Sequence, residues 1–242
     1  MPTAAPVRRR FVVHTFGWFA VQAGSRVQLV RRWGYRRASR RAVYLMLASL
    51  LRQEGRWFRR ETLIDGIWPE SEAATAEANF YATLRHLRRC LAVAWPVNQP
   101  WIECDNGHYR VRPDRRLKVD LWDVQRLTRG SRVSAMRLGI SDLEQLVDFA
   151  QRRFLVDVPT LEPWIVAMRS ALDAGFVDWT VRLAQLRVES GYAREAERTL
   201  WRGFTERPES PRLATALRTF YEQREGDSDI APPAHPMTEH RL

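Results

Sequence analysis

The side chains best suited to bind a metal ion form two pairs with the same spacing. His86 and Cys90 are four residues apart, and Cys104 and His108 repeat that spacing in reverse order. Imidazoles and thiolates are ligands that suit zinc, and a spacing of four places two side chains on one face of a helix. The alternative is that the two cysteines are small buried residues and that His86 faces another ligand. We favour this alternative and expect no metal and no cofactor.

The chain carries no motif typical of catalysis. It lacks a phosphate-binding glycine loop, a nucleophile elbow and the paired histidines of a zinc protease. His14 lies in an apolar segment, and the carboxylates of the second half alternate with arginines, as they do on solvated helices. We therefore expect a protein that binds rather than an enzyme.

Positive charge is concentrated in the first half of the chain. Residues 1–116 contain 21 arginines against nine Asp and Glu residues, a net charge of +12, whereas residues 117–242 contain 18 basic and 19 acidic residues. This split indicates a module that binds a polyanion, joined to one that does not. Two cysteines are too few for a disulfide framework, and the first ten residues lack the apolar run of a secretory signal. We expect a cytoplasmic protein that makes no contact with a membrane.

The first half is predicted to form a small antiparallel sheet and three helices. Residues 11–30 are rich in β-branched and aromatic side chains on both sides of a turn. Apolar spacing predicts a helix over 40–52 that Ser39 could cap, a short helix that Pro69 closes, and a helix over 72–91. Residues 101–112 surround an Asp-Asn-Gly turn, which predicts a hairpin. Three helices followed by a hairpin is the order of a winged helix-turn-helix; an unrelated α+β domain is the alternative.

The second half is predicted to be helical. Ser141 could cap a helix over 142–153, and Pro163 lies near the start of the next helix. Residues 178–208 carry small residues and a final proline where a tetratricopeptide repeat has them, although a generic helical hairpin gives this spacing occasionally. These residues are Gly191, Ala196, Gly203 and Pro208.

Taken in order, several segments resemble a bacterial transcriptional activator domain regulator of the SARP type. This family pairs an OmpR/PhoB-type winged helix with a tetratricopeptide-like helical domain. The resemblance extends from about Phe11 to Glu225. The segments that carry it are 16–19, 59–69, 78–79, 84–91, 107–111, 119–120, 163–164 and 169–172. Two positions depart from the family pattern: Arg59 replaces the usual Ser or Thr cap, and Asp105 stands at the wing tip, where arginine is frequent.

The fold class that follows is α+β, with an N-terminal winged helix and small antiparallel sheet followed by an all-α tetratricopeptide-like domain. The domain prediction has four parts. They are a flexible basic arm over 1–10, a DNA-binding winged helix over 11–116, a helical domain over 117–225 and a disordered tail over 226–242.

The resemblance implies a sequence-specific regulator of transcription that binds double-stranded DNA and activates. The helix over 72–91 would enter the major groove with the side chains opposite its apolar stripe. Asn79 and His86 are the predicted base contacts, with Ala82 against a thymine methyl. Arg88 lies nearer the stripe and is predicted to form an intradomain ion pair. The predicted phosphate contacts are Thr83, Arg85 and Arg89, together with the arginines beside the starts of the first two helices, Arg36, Arg37, Arg40, Arg41, Arg59 and Arg60.

The expected partners include proteins as well as DNA. The resemblance implies that the loop containing Glu70, Ser71 and Glu72 can contact RNA polymerase, while the helical domain would bind a second copy or another protein. The rival hypothesis is a protein-interaction adaptor whose winged helix has lost DNA specificity. RNA is disfavoured, because no exposed aromatic surface stands out for stacking.

Overall fold

The chain forms two compact units in a computed structural model. The first unit extends to Gly175, and the second begins at Phe176, within one long helix. The α+β class is confirmed, since small sheets and helices come first and helices alone follow. Apart from Arg10, the predicted arm and tail lie outside the described residues, which are 10–34, 37–94, 100–128, 138–157 and 162–225.

A four-stranded sheet opens the first unit. The predicted antiparallel strands are confirmed, and alternation in the first of them buries Phe11 and Val13. A fourth strand, which the sequence did not predict, pairs in parallel with the first, so the unit continues past residue 116. The strands are β1 (Phe11–His14), β2 (Ala20–Ala23), β3 (Arg26–Leu29) and β7 (Leu117–Val119).

Three helices follow in the predicted order. They are α1 (Arg37–Leu51), α2 (Arg60–Ile67) and α3 (Ala73–Ala94), and α1 packs against both of the others. Ser39 lies inside α1, so its predicted role as a cap is wrong. Arg59 is the N-cap of α2 and forms no side-chain capping hydrogen bond, as its departure from the family pattern suggested.

The predicted hairpin forms the wing, and a short additional strand connects it to α2. Its strands are β4 (Phe58–Arg59), β5 (Ile102–Asp105) and β6 (His108–Val111). Asn106 and Gly107 have φ values of 44° and 74°, the left-handed pair that a type I′ turn requires. The backbone N–H of Arg60 donates to the carbonyl oxygen of Gly107 at 2.9 Å, which fixes the wing turn beside the start of α2.

A buried carboxylate connects the N-terminal sheet to α4 (Asp120–Thr128). Asp120 accepts hydrogen bonds from the backbone N–H of Thr15 at 2.8 Å, the Thr15 hydroxyl at 2.6 Å, and the N–H groups of Phe16 and Leu121 at 3.2 and 2.8 Å. Burial raises the pKa of the Asp120 carboxyl, and the hydrogen bonds from Thr15 and Phe16 oppose that rise. The carboxylate therefore holds the end of β1 in place.

Two further helices complete the first unit. α5 (Ile140–Gln151) begins after Gly139, which is its N-cap, so the predicted cap at Ser141 is wrong. α6 (Pro163–Glu189) begins at the predicted proline and runs into the second unit.

The second unit is a helical hairpin with one more helix after it. It comprises the end of α6, then α7 (Ala193–Glu206) and α8 (Pro211–Glu225). Gly191 has a φ of +81° at the turn, and Ala196 is fully buried. A Cβ atom at Gly203 would lie 2.6 Å from Cγ2 of Thr180, so α6 and α7 approach too closely for any larger residue. The predicted small-residue spacing thus marks a close helix–helix contact.

Candidate nucleic-acid interface

Helix α3 has a buried face and an exposed face. The apolar spacing over residues 73–91 predicts a buried stripe, which is confirmed from Ala76 onward, while Ala73 is exposed. The stripe residues are at most 4% exposed: Ala76, Phe80, Leu84, Leu87 and Leu91. The opposite face presents Ala78, Asn79, Ala82, Arg85 and Arg89 to solvent.

The three predicted base contacts differ in accessibility. Asn79 and Ala82 are exposed. His86 is half-buried, and its Nε2 atom lies 3.5 Å from the Sγ atom of Cys90. The His86 imidazole is therefore less accessible than Asn79 and Ala82, and Cys90 lies beside it on α3.

The predicted phosphate contacts on α3 also differ. Arg85 and Arg89 are exposed, whereas Thr83 is only 9% exposed because it lies on the side of the buried stripe. Of the three predicted phosphate contacts on this helix, the two arginines are therefore the ones exposed to solvent. Arg88 donates to the carbonyl oxygen of Ile102 at 3.1 Å, so its described contact within the first unit is a hydrogen bond to the wing.

The arginines near the helix starts have different environments. Arg40 is exposed. Arg41 forms an ion pair with Glu162 at 2.8 Å and donates to the carbonyl oxygen of Ile67 at 3.3 Å. Arg59 is exposed, with Nε 3.9 Å from a carboxylate oxygen of Glu61. Arg36 and the side chain of Arg37 lie outside the described residues.

Arg60 connects α2 to a residue of α3 that the sequence did not single out. Its Nη1 atom donates to Glu77 at 2.8 Å and to the hydroxyl of Tyr81 at 2.9 Å, and its Nε atom donates to Glu61 at 3.3 Å. Tyr81 is 44% exposed. Apolar spacing alone would assign an aromatic residue next to the buried stripe to the core. The contact between Tyr81 and Arg60 depends on how α2 packs against α3, and only the structure shows that packing.

The wing tip and the loop before α3 both present carboxylates. Asp105 is exposed at the end of β5, opposite His108, which is half-buried. The ring Nδ1 of His108 lies 3.0 Å from the carbonyl oxygen of Asn106. In the loop, Glu70 and Glu72 are exposed and Ser71 is half-buried.

The four residues weighed as zinc ligands do not form one cluster, and in the wing Cys104 lies opposite Tyr109 rather than His108. His86 lies beside Cys90, and burial raises the pKa of the Cys90 thiol, which disfavours the thiolate that zinc binds. Cys104 is exposed and hydrogen-bonds to Tyr109, whose pKa burial raises to about 12 with a further contribution from that bond. Among the described residues, no three His, Cys, Asp or Glu side chains are grouped to hold a metal ion.

The whole fold resembles that of a solved regulator. The structure of Mycobacterium tuberculosis EmbR in complex with low affinity phosphopeptide matches with a TM-score of 0.61 at 19% sequence identity. The match covers 91% of this chain and 56% of the EmbR chain, so this chain spans a little over half of that protein. EmbR is a SARP-family regulator, and the SARP-type regulator fold predicted from the sequence is confirmed. No protein-family model and no curated protein sequence matches this chain.

A helix crosses a bilayer only when it has about 20 consecutive, mostly apolar residues. Within the described ranges, no helix is both long enough and apolar enough to cross a membrane.

Proposed function

We propose that the chain is a sequence-specific, double-stranded DNA-binding regulator that activates transcription, and that α3 reads the major groove. The observation that carries the proposal is the exposed face of α3, where Asn79, Arg85 and Arg89 lie opposite a buried stripe. An α-helix fits the major groove, asparagine suits the edge of adenine, and arginine suits guanine or phosphate. The SARP-type fold supports the same class of function.

The elements around α3 support contact with the DNA backbone. The wing turn is fixed beside the start of α2 through the Arg60–Gly107 hydrogen bond. Arg40 and Arg59 are exposed near the starts of α1 and α2, where helix ends already favour anions. The net charge of +12 over residues 1–116 would attract a polyanion from a distance.

An electrophoretic mobility shift against genomic fragments, with excess competitor DNA, tests the central proposal. Complexes that persist in competitor support a sequence-specific regulator. Binding that competitor removes entirely favours the adaptor hypothesis, in which the helical unit docks a protein, and contradicts the proposal.

Salt dependence tests whether α3 supplies the phosphate contacts. Each contact with phosphate contributes a slope of about −0.9 to log K against log salt concentration. An Arg85→Ala, Arg89→Ala double variant should lose roughly two such increments in a fluorescence anisotropy titration. Arg218→Ala, which removes an exposed arginine from α8, is the matched control and should leave the slope unchanged. Equal slopes for all three proteins would contradict the placement of DNA on α3.

We assign the contact with RNA polymerase to the loop before α3, because Glu70 and Glu72 are exposed there. A Glu70→Gln, Glu72→Gln variant should bind DNA like the native chain but activate less in transcription reconstituted with purified polymerase. Unchanged activation would show that this loop does not make the contact with RNA polymerase. The helical domain over residues 117–225 would bind a second copy or another protein, and the protein would act in the cytoplasm by binding rather than by catalysis.

A further inference from the structure

Tyr81 lies on α3 beside the proposed DNA-reading face, and its ring is well anchored. It packs edge-to-face on Phe80, with ring centroids 5.5 Å apart. Phe80 is fully buried and packs in turn against Tyr109 of the wing, at 5.1 Å between centroids. Tyr81 is nevertheless 44% exposed, and the hydrogen bond of its hydroxyl lies at the surface. The ring therefore holds a polar group at a fixed place beside the exposed face of α3.

Arg60 determines the direction in which the Tyr81 hydroxyl can donate. Nη1 of Arg60 lies 2.9 Å from the hydroxyl oxygen. A guanidinium has five N–H donors and no acceptor, so the tyrosine oxygen must accept and its own proton must point elsewhere. Among the described residues, Arg60 is the one hydrogen-bonding partner of this hydroxyl. The proton is therefore available to an acceptor outside the protein.

Most side-chain donors of Arg60 are already used within the protein. Nη1 is shared between Glu77 and Tyr81, while Nε and Nη2 lie 3.3 and 3.2 Å from Oε1 of Glu61. Its backbone N–H donates to the wing turn at Gly107. Two carboxylates thus offset the charge of Arg60 and hold its planar group in place. With these contacts, Arg60 is better suited to position a neighbouring side chain than to bind phosphate itself.

We propose that Tyr81 contacts DNA by donating its hydroxyl hydrogen bond to a phosphate oxygen at the edge of the major groove, and that Arg60 is the residue that positions it. This inference rests on the proposed function. Phosphate oxygens commonly accept from tyrosine. Arg85 is exposed one helical turn beyond Tyr81 on the same side of α3, so it would place a positive charge beside the same phosphate.

The first test compares Tyr81→Phe with the native chain by fluorescence anisotropy. The probes are a duplex recovered from a random library by repeated selection on the full chain, and a mixed-sequence duplex. Loss of one hydrogen bond to a charged group should weaken binding of both duplexes about tenfold. The salt slope should not change, because no charge is removed. Tyr192→Phe, at an exposed tyrosine of the second unit, is the matched control and should bind like the native chain.

The second test asks whether Arg60 acts through Tyr81. Arg60→Lys keeps the charge but loses the planar fork that spans Glu77 and Tyr81. It should weaken binding as much as Tyr81→Phe does, and the Arg60→Lys, Tyr81→Phe double variant should bind no more weakly than Tyr81→Phe alone. Losses that add would show that Arg60 contacts DNA independently and would overturn its positioning role.

Three outcomes separate this inference from the proposed function. If the native chain selects a duplex and Tyr81→Phe binds it as tightly, the inference fails and the proposed function stands. If Tyr81→Phe loses affinity only for duplexes with one particular base pair, Tyr81 reads a base and the phosphate assignment is wrong. If the native chain selects no duplex, both proposals fail.

Discussion

Replacement of Gly203 by alanine tests the closest helix–helix contact in the second unit. The new Cβ atom would lie 2.6 Å from Cγ2 of Thr180 and 3.3 Å from Cδ2 of Leu213. Thr180 is fully buried, and its hydroxyl donates to the carbonyl oxygen of Phe176 at 2.7 Å, so it cannot rotate away without losing that bond. The added methyl group must therefore push α6 and α7 apart.

Two opposing effects set the magnitude. Alanine in place of glycine inside a helix gains about 1 kcal/mol. Overpacking of a filled site costs about 1–3 kcal/mol. Here the clash is with a side chain held by a hydrogen bond, so we expect the upper part of that range, about 2–3 kcal/mol. We expect a net loss of about 1–2 kcal/mol in the free energy of unfolding of the second unit, measured by denaturant unfolding followed with circular dichroism. Hydrogen exchange of the backbone amides in α7 and α8 should be faster in Gly203→Ala than in the native chain.

Two variants make this test decisive. Gly66→Ala in α2 is the matched control, because a Cβ atom there meets nothing within 4 Å and the substitution should stabilise the chain. Thr180→Ser removes the clashing methyl group but keeps the hydroxyl, so it should restore much of the stability lost in Gly203→Ala. If Gly203→Ala stabilises the chain as Gly66→Ala does, the helices are not in the contact described.

Three further predictions concern the first unit. Asp120→Asn should lower the free energy of unfolding by about 2–3 kcal/mol in denaturant titrations, because an amide NH₂ would face the donors of Thr15; a neutral result would contradict the role of the carboxylate. The hydrogen bond from Arg116 lowers the pKa of Asp114 to about 2. The contribution of the Asp114 carboxylate to the free energy of unfolding is therefore present above about pH 4 and lost as the pH falls toward 2. After allowance for solvent screening, Asp114→Asn should cost about 1 kcal/mol at pH 7, and calorimetry should show the difference from the native chain shrinking through that interval. Asn106→Val should destabilise the wing by about 1–2 kcal/mol, since a β-branched residue resists the φ of 44°, and wing amides that exchange no faster would refute this.

Local patterns in the sequence predicted the parts of the fold that local interactions determine. The period of Phe80, Leu84, Leu87 and Leu91 predicted which face of α3 is buried, because a helix repeats every 3–4 residues. The Asn106-Gly107 pair predicted the wing turn, because its backbone preference is intrinsic.

These local patterns could not predict contacts between segments that are distant in the sequence. β7 pairs with β1, and Asp120 accepts hydrogen bonds from Thr15, which is 105 residues away in the chain. The cluster of Arg60 and Tyr81 depends on the angle at which α2 meets α3, which helical periodicity does not encode. For the candidate interface, periodicity therefore predicted that Asn79, Ala82 and Arg89 face solvent, but not that Thr83 is buried or which arginines are already paired.

The most direct measurement of the central claim is the base preference of the native chain and of Asn79→Ala. Each protein would be used to select duplexes from the same random library, and binding to every single-base substitution of the recovered site would be measured. We expect the native chain to select a defined site and Asn79→Ala to lose discrimination of roughly 1–3 kcal/mol at one adenine while keeping the other preferences. An unchanged set of preferences, or no recovered site for the native chain, would show that Asn79 on α3 does not read the base sequence.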